Sequence, residues 1–266
     1  MDQPFETVRR NRLPHLFLLV LVTALLLLPF SLQAQDERIA TSPDGQLAID
    51  IFATRPEGAL FGRIGYQVWY HGKPLLATSW MGLDIRDQEP FLGENPGFMS
   101  SDAGSGPGFN SVVAHYMQNG SLGRRIDIEI RAYNDGVAFH YFMPRSNPIE
   151  DFYLREEMTE FNFARPEVLA HLKQQPDYDM PFTVEYPGVG PVTITDSGAE
   201  ARSPKYPRTY LVRTDTGLRT TLPRSKTDPS VAYSGHTPLS WMWRAVVVGV
   251  DREHLAQSTI LKDLNR

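Results

Sequence analysis

Along residues 126–133 the chain alternates strictly between apolar and polar positions. Ile126, Ile128, Ile130 and Ala132 fall on one face, and Asp127, Glu129, Arg131 and Tyr133 on the other. A period of two is the spacing of a half-buried β-strand. Asn134, Asp135 and Gly136 break the pattern with residues that tolerate positive φ, and a second run, Val137 to Phe142, follows at once. The pattern predicts a β-hairpin over 126–142. Shorter alternating or aromatic-rich runs occupy 47–53, 65–70, 182–186, 192–195 and 210–213. Between the runs lie the turn signals Pro43-Asp44-Gly45, Pro56-Glu57-Gly58, His71-Gly72-Lys73-Pro74, Asn119-Gly120 and Pro187-Gly188. Many short strands with close turns predict an all-β sandwich and argue against alternating βαβ units.

The run WMWRAVVVGV, residues 241–250, is almost continuously apolar and is expected to be a central, buried strand, with Trp241 and Trp243 on one face. Helical signal is thin: 151–161, 166–174 and 251–261 are each expected to hold a few turns at most, none with a sustained apolar stripe. Residues 93–110, rich in glycine with two prolines, predict a long loop without regular structure.

The first residues read as a separate unit. Arg9, Arg10 and Arg12 precede an uncharged apolar run from Leu16 to Leu28, and Pro29, Ser31 and Ala34 supply the breaker and small residues of a cleavage region. That is the pattern of a secretory signal peptide over 1–34, and the apolar run falls short of the about 20 residues of a membrane span. Cleavage after Ala34 leaves 35–266 as one β domain, periplasmic or secreted and not held at a membrane. With no cysteine in the chain, neither disulfides nor a lipoprotein-type anchor are expected. Removing three arginines together with Asp2 and Glu6 takes the net charge from −5 to −6. A mildly acidic chain without basic runs argues against nucleic acid as a partner.

Candidate chemistry is sparse. Glu156, Glu157 and Glu160 could supply the paired carboxylates of glycoside hydrolysis, but three acids so close together predict a solvated face. A mutarotase-like reaction needs a Glu base and a His acid on opposite sides of a sugar ring. His71, His115, His140, His171, His236 and His254 are available, yet no spacing singles one out, and His140 is expected to be satisfied within the hairpin. Sugar recognition needs an aromatic face, which Trp69, Trp80, Trp241 or Trp243 could provide. Of these, Trp241 and Trp243 are expected to pack in the core and Trp80 is the least constrained. There is no GxSxG, HExxH, phosphate-binding glycine loop or EF-hand spacing.

The wording RAYNDGVAFHY, residues 131–141, resembles the N-terminal domain of the glycoside hydrolase family 97 enzymes, bacterial α-glucosidases and α-galactosidases. Further pieces follow in the family's order: Ser42-Pro43-Asp44-Gly45, Gly72-Lys73-Pro74, Met81-Gly82-Leu83, 157–163, Ile194-Thr195-Asp196, 237–249, 255–258 and Leu264-Asn265. The resemblance implies a β-supersandwich of the galactose mutarotase-like kind and a non-catalytic, carbohydrate-binding role with an oligosaccharide as partner. It also implies that the acid and base belong to a (β/α)₈ barrel that follows this domain in the family, so the chain is expected to bind a glycan or to complete a glycosidase with a separately encoded barrel. A truncated or split glycosidase is the alternative, and a mutarotase-like epimerase a lesser one. No catalytic residue is expected on this chain. Ile194-Thr195-Asp196-Ser197 stands where the family is similar to ITEA, whose Glu ligates Ca²⁺. Asp196 is therefore implied as a metal position. Ca²⁺ takes about six to eight oxygens, so calcium is expected only if a partner barrel completes the site; otherwise a cap or turn role falls to Asp196. Residues 198–205 are longer than in the family, and 165–180 shorter.

Overall fold

A computed structural model of the protein describes residues 38–120, 123–197, 206–251, 253–254 and 257–264. The segment 1–34 that is expected to be a signal peptide, the stretch 198–205 that is expected to be longer than in the family, and the closing residues Leu255 and Asn265 lie outside the described residues. The named strands form four antiparallel sheets among the described residues. The largest runs in the order β13 (Phe182–Tyr186), β14 (Gly190–Asp196), β19 (Arg244–Val248), β9 (Gly136–Met143), β8 (Arg125–Tyr133), β7 (Phe109–Gln118) and β6 (Pro96–Gly106), with the two-residue β18 (Leu239–Ser240) also on β9. A second sheet holds β1 (Ile39–Thr41), β2 (Leu47–Thr54), β3 (Arg63–Tyr70) and β4 (Lys73–Trp80) in sequence order. The smaller two are β17 (Tyr233–His236), β10 (Asp151–Glu157) and β5 (Leu83–Ile85), and β11 (Glu160–Asn162), β16 (Gly217–Thr221), β15 (Tyr210–Arg213) and β12 (Tyr178–Asp179). The fold is an all-β sandwich.

The expected hairpin is β8 and β9, in a register that sets Ile130 opposite Phe139 and Ala132 opposite Val137. Its inner face sends Ile126, Ile128, Ile130, Phe139 and Tyr141 into the main core, where Tyr66 of β3 meets Phe139 at 4.8 Å between ring centroids. Each such side chain, fully buried, contributes roughly 1.5–3 kcal/mol. The outer face carries a second, smaller cluster: Tyr133, Ala138, Ala245 and Val247 are covered by Ile260 and Leu261 of α2 (Thr259–Leu264).

The turn at Asn134 and Asp135 joins both ends of the fold. Neither residue has a positive φ. Asn134 Oδ1 accepts the backbone N–H of Asp44 at 3.1 Å. The Asp135 carboxylate caps α2, accepting from Ser258 Oγ at 2.9 Å, Thr259 N at 3.0 Å and Thr259 Oγ1 at 2.9 Å. Gly136 is required by close approach, because a Cβ there would stand 2.3 Å from the Val246 carbonyl oxygen.

Two expectations of secondary structure fail. Residues 93–110 hold most of the hairpin β6–β7, whose ladder pairs Gly106 with Phe109 and continues to Pro96 with Gln118. Glycine and serine are tolerated there because β6 is an edge strand and its pairing to β7 sets the register. Residues 151–161 form the strand β10 and the start of β11 instead of a helix. Phe152 and Leu154 keep the period of two until the register shifts between Leu154 and Glu156. Of the other expected helices, one survives as a single turn, α1 (Glu167–Ala170), and the last begins at Thr259. No helix among the described residues is long and apolar enough to cross a membrane.

Strand β19 is central, between β14 and β9, and all five of its residues are buried. A bulge precedes it. From Ser240 opposite Phe142 to Arg244 opposite Phe139, the chain takes four steps on one side and three on the other. The extra residue reverses the side-chain alternation. Trp241 therefore enters the main core while Trp243 lies against the outer cluster, contrary to the expectation that they share a face.

Candidate functional site

The expected solvated face of acids is not what the structure contains at Glu157. The last residue of β10 is fully buried, and its carboxylate accepts four hydrogen bonds. Oε1 receives Thr159 Oγ1 at 2.6 Å and Arg244 Nε at 2.9 Å, while Oε2 receives Trp241 Nε1 at 2.6 Å and Arg244 Nη2. Burial pushes the Glu157 carboxyl up, but the Arg244 charge and these hydrogen bonds outweigh it and hold the group below its ordinary value. A carboxylate with all four lone-pair directions occupied and no solvent contact cannot pass a proton to a substrate. Its two neighbours are half-buried and differently engaged: Glu156 faces Arg219 at 3.7 Å, and Glu160 accepts from Asn162 Nδ2 at 2.9 Å.

Arg244 bridges Glu157 to the residue implied as a metal position. Asp196 ends β14 directly opposite Arg244, and its Oδ2 accepts from Arg244 Nη1 at 3.0 Å. It is thus a buried residue at the end of a strand, held in an ion pair. A single carboxylate already facing a guanidinium does not by itself make a calcium site, which takes about six to eight oxygens. Among the described residues, no three His, Asp or Glu side chains are grouped to hold a metal ion.

Above this network the rings of Tyr206, Tyr233 and Trp241 converge. Tyr206 meets Trp241 at 5.2 Å and 69°, and Tyr233 meets it at 5.1 Å and 73°, both edge-on. The two tyrosines help to line a depression of about 300 Å³ together with Pro207, Ser225, Ala232 and Ser234. A second depression, about 420 Å³, lies beside Asp135, Asp251 and His254. There the carboxylates are taken up locally, Asp135 by the start of α2 and Asp251 by His254 N and Nδ1 at 2.9 and 2.7 Å.

Of the histidines, His254 lines the second depression, but it is paired with Asp251, and among the described residues no glutamate lines that depression. His140 is satisfied, as expected: Nε2 lies 3.2 Å from Glu129 Oε2 and Nδ1 lies 3.2 Å from Ser240 Oγ, and the ring stacks on Trp243 at 4.0 Å. Glu and His in direct contact cannot flank a sugar from two sides. His115 sits between Asp127 and Asp102, at 2.8 and 3.1 Å. His71 is an exposed turn residue with φ +49°, His171 follows α1, and His236 is exposed in β17. Among the tryptophans, Trp69 and Trp80 are half-buried, with Arg63 5.5 Å above the Trp80 ring, and Trp243 carries Arg131 at 4.3 Å.

Sequence reasoning passed over Arg244, although a lone arginine within the run WRAVVVGV calls for a buried carboxylate. Nothing in the sequence singles out Tyr206 and Tyr233, which come together only through the packing of β17 and the segment before β15.

Comparison with known proteins agrees with this architecture. Among solved structures, the fold is similar to a glycoside hydrolase family 97 enzyme from Pseudoalteromonas sp. strain K8 in complex with acarbose, at 18% identity and a TM-score of 0.68. A variant of that enzyme in complex with panose gives 17% and 0.69. Each match covers 86% of this chain but 38% of the solved one. A β-arabinopyranosidase is also similar, at 17% identity and a TM-score of 0.60, over 80% of this chain and 40% of that one. Nothing among curated proteins matches the chain. The family model described as glycosyl-hydrolase 97 N-terminal matches residues 40–266. The chain therefore belongs to the N-terminal domain family of the glycoside hydrolase family 97 proteins.

Proposed function

We propose that this chain serves as a non-catalytic, carbohydrate-binding domain of a glycoside hydrolase, binding a glycan or completing the active unit with a (β/α)₈ barrel. The observation that carries this reading is the state of Glu157. The most deeply buried carboxylate of the expected acid cluster is saturated by Arg244, Trp241 and Thr159, so it acts as a structural anion and not as an acid or base. Isothermal titration with maltooligosaccharides, panose, acarbose and α-galactosides tests binding. Heat with at least one is expected, and none with any would sink the carbohydrate-binding part. Parallel assays with nitrophenyl α-glucoside and α-galactoside are expected to give no turnover from this chain alone.

In a second reading the domain works with a separately encoded barrel as one glycosidase; the chain spans 38% of the length of the solved family 97 enzyme that it matches. Reading the adjoining DNA separates the two, since a barrel reading frame there supports a split enzyme and unrelated sequence argues against it. In that assembly Asp196 would be one calcium ligand among several from the barrel. Calcium is then expected to bind the reconstituted pair and not this chain alone, as a titration monitored by calorimetry would read. Export to the periplasm or medium follows from the signal pattern at 1–34, and a mature N-terminus at Gln35 is the expected outcome of N-terminal sequencing.

A further inference from the structure

Strand β6 is ordered by its neighbour more than by its own sequence. At its near end Phe98 packs against the core, its ring 5.8 Å from that of Tyr116. The ladder then shifts register between Phe98 and Ser100, and from Ser100 to Gly106 no residue is buried. Serine, glycine and aspartate have little strand propensity, so this far half depends on its ladder to β7 and on side-chain ties. Asp102 is the one charged side chain in β6. Its Oδ2 lies 3.1 Å from Nε2 of His115 on β7.

His115 is held from the other side as well. Its Nδ1 lies 2.8 Å from Oδ1 of Asp127, directly opposite on β8. The two carboxylates differ, since the Asp127 side chain is 15% exposed and the Asp102 side chain 80%. A protonated imidazole donates from both nitrogens and satisfies both, whereas a neutral one has a single N–H. One of the two contacts must then change from a hydrogen bond to a lone pair facing a carboxylate. The shorter and better shielded contact to Asp127 keeps the proton on Nδ1, so the repulsion falls on Asp102, which can turn into water. The neighbouring charged groups of β8 are occupied: Arg125 by Ser146 Oγ at 3.4 Å, and Glu129 by Arg131 Nε at 2.6 Å and His140 Nε2 at 3.2 Å. Strand β7 itself carries no other charged side chain.

We propose that His115 is a pH-operated latch on the edge strand of the largest sheet: protonated, it holds the far half of β6 closed through Asp102, and neutral, it releases it. Burial disfavours the charged ring, but the hydrogen bonds to Asp127 and Asp102 outweigh it and raise its pKa above the ordinary 6.5. With a raised folded value, the hold is complete below the unfolded pKa and is lost as pH rises through the folded one. The order of this edge is thereby tied to the acidity around the protein.

Amide hydrogen exchange of the full chain, read by NMR and converted to protection factors at about pH 5.5 and about pH 8.5, tests it. Protection of the β6 ladder amides from Ser100 to Gly106 is expected to fall about threefold at the higher pH. That of β13, at the other edge of the same sheet, is expected to stay unchanged. Asp102→Asn is the decisive variant, because an amide can accept from the protonated ring and donate to the neutral one. It is expected to keep β6 protected and to abolish the pH dependence. The nitrogen-15 shifts of the neutral His115 ring are expected to show the Nδ1–H tautomer. Equal β6 protection at both pH values in the unaltered protein would overturn the latch, as would an Nε2–H tautomer. A pH dependence that survives in Asp102→Asn would overturn the role of Asp102, and a parallel fall in β13 would mean a general loosening and overturn local release.

Discussion

Two arginines on opposite faces of the largest sheet do similar chemistry in different surroundings. Arg244 points inward, has no exposed side-chain surface, and holds Glu157 and Asp196, whose side chains are 0% and 5% exposed. Arg131 points outward, is 21% exposed, and holds Glu129 at 2.6 Å and Asp263 at 3.1 Å while lying between the rings of Phe109 and Trp243. Both are arginines with two carboxylates, yet only the inner one is shielded from water and salt. The difference teaches that the inner set is costly to break, whereas the outer set is replaceable and its strength is set by the solvent.

The sharpest way to break the comparison is to remove each cation. Arg244→Met takes the guanidinium away from two buried carboxylates and is expected to cost about 3–5 kcal/mol, a fall in melting temperature of roughly 10 °C or more. Urea denaturation measures it, and a loss below about 1 kcal/mol would refute the buried network. Next in size is its pH dependence. The folded Glu157 carboxyl is held below its unfolded value, so its stabilisation is present above that unfolded value, near the ordinary 4.5, and is lost as the pH falls through the folded one. Glu157→Gln is expected to be less stable at neutral pH and to flatten the acid limb of the stability curve.

On the outer face, Arg131→Met is expected to cost about 1 kcal/mol, since it removes partly exposed ion pairs and keeps an apolar stem between the rings. That loss should shrink in about 0.5 M salt, where the Arg244→Met loss should not. Smallest is His115. Burial pushes its ring down, but hydrogen bonds with Asp127 and Asp102 outweigh that and raise its pKa above 6.5. A raised folded value means stabilisation that is complete below the unfolded pKa and lost as pH rises through the folded one. His115→Gln is therefore expected to remove a shallow decline above neutral pH, and an unchanged profile would count against the paired geometry.

What could be read from the sequence follows from how local each signal is. The hairpin β8–β9 and the buried strand β19 were legible because alternation and a continuous apolar run are properties of neighbouring residues. Strand β6 was not, since Ser100-Ser101-Asp102-Ala103-Gly104 has little β-propensity and is ordered by its ladder to β7. Glu157 looked solvated because its partners Trp241 and Arg244 are 84 and 87 residues away. The face of Trp243 was misread for a related reason: one bulge residue reverses the alternation, and that insertion shows only in the register with β9. The aromatic depression depends on three segments meeting and left no trace in any one of them.

The hairpin turn has one more implication. Asn134 holds the backbone of Asp44 and Asp135 holds the start of α2, so the first and last described segments are fastened to consecutive residues of one turn. A disturbance of this one turn therefore reaches the β1–β2 turn and the start of α2 together, so two elements more than 200 residues apart in the chain share a single point of failure.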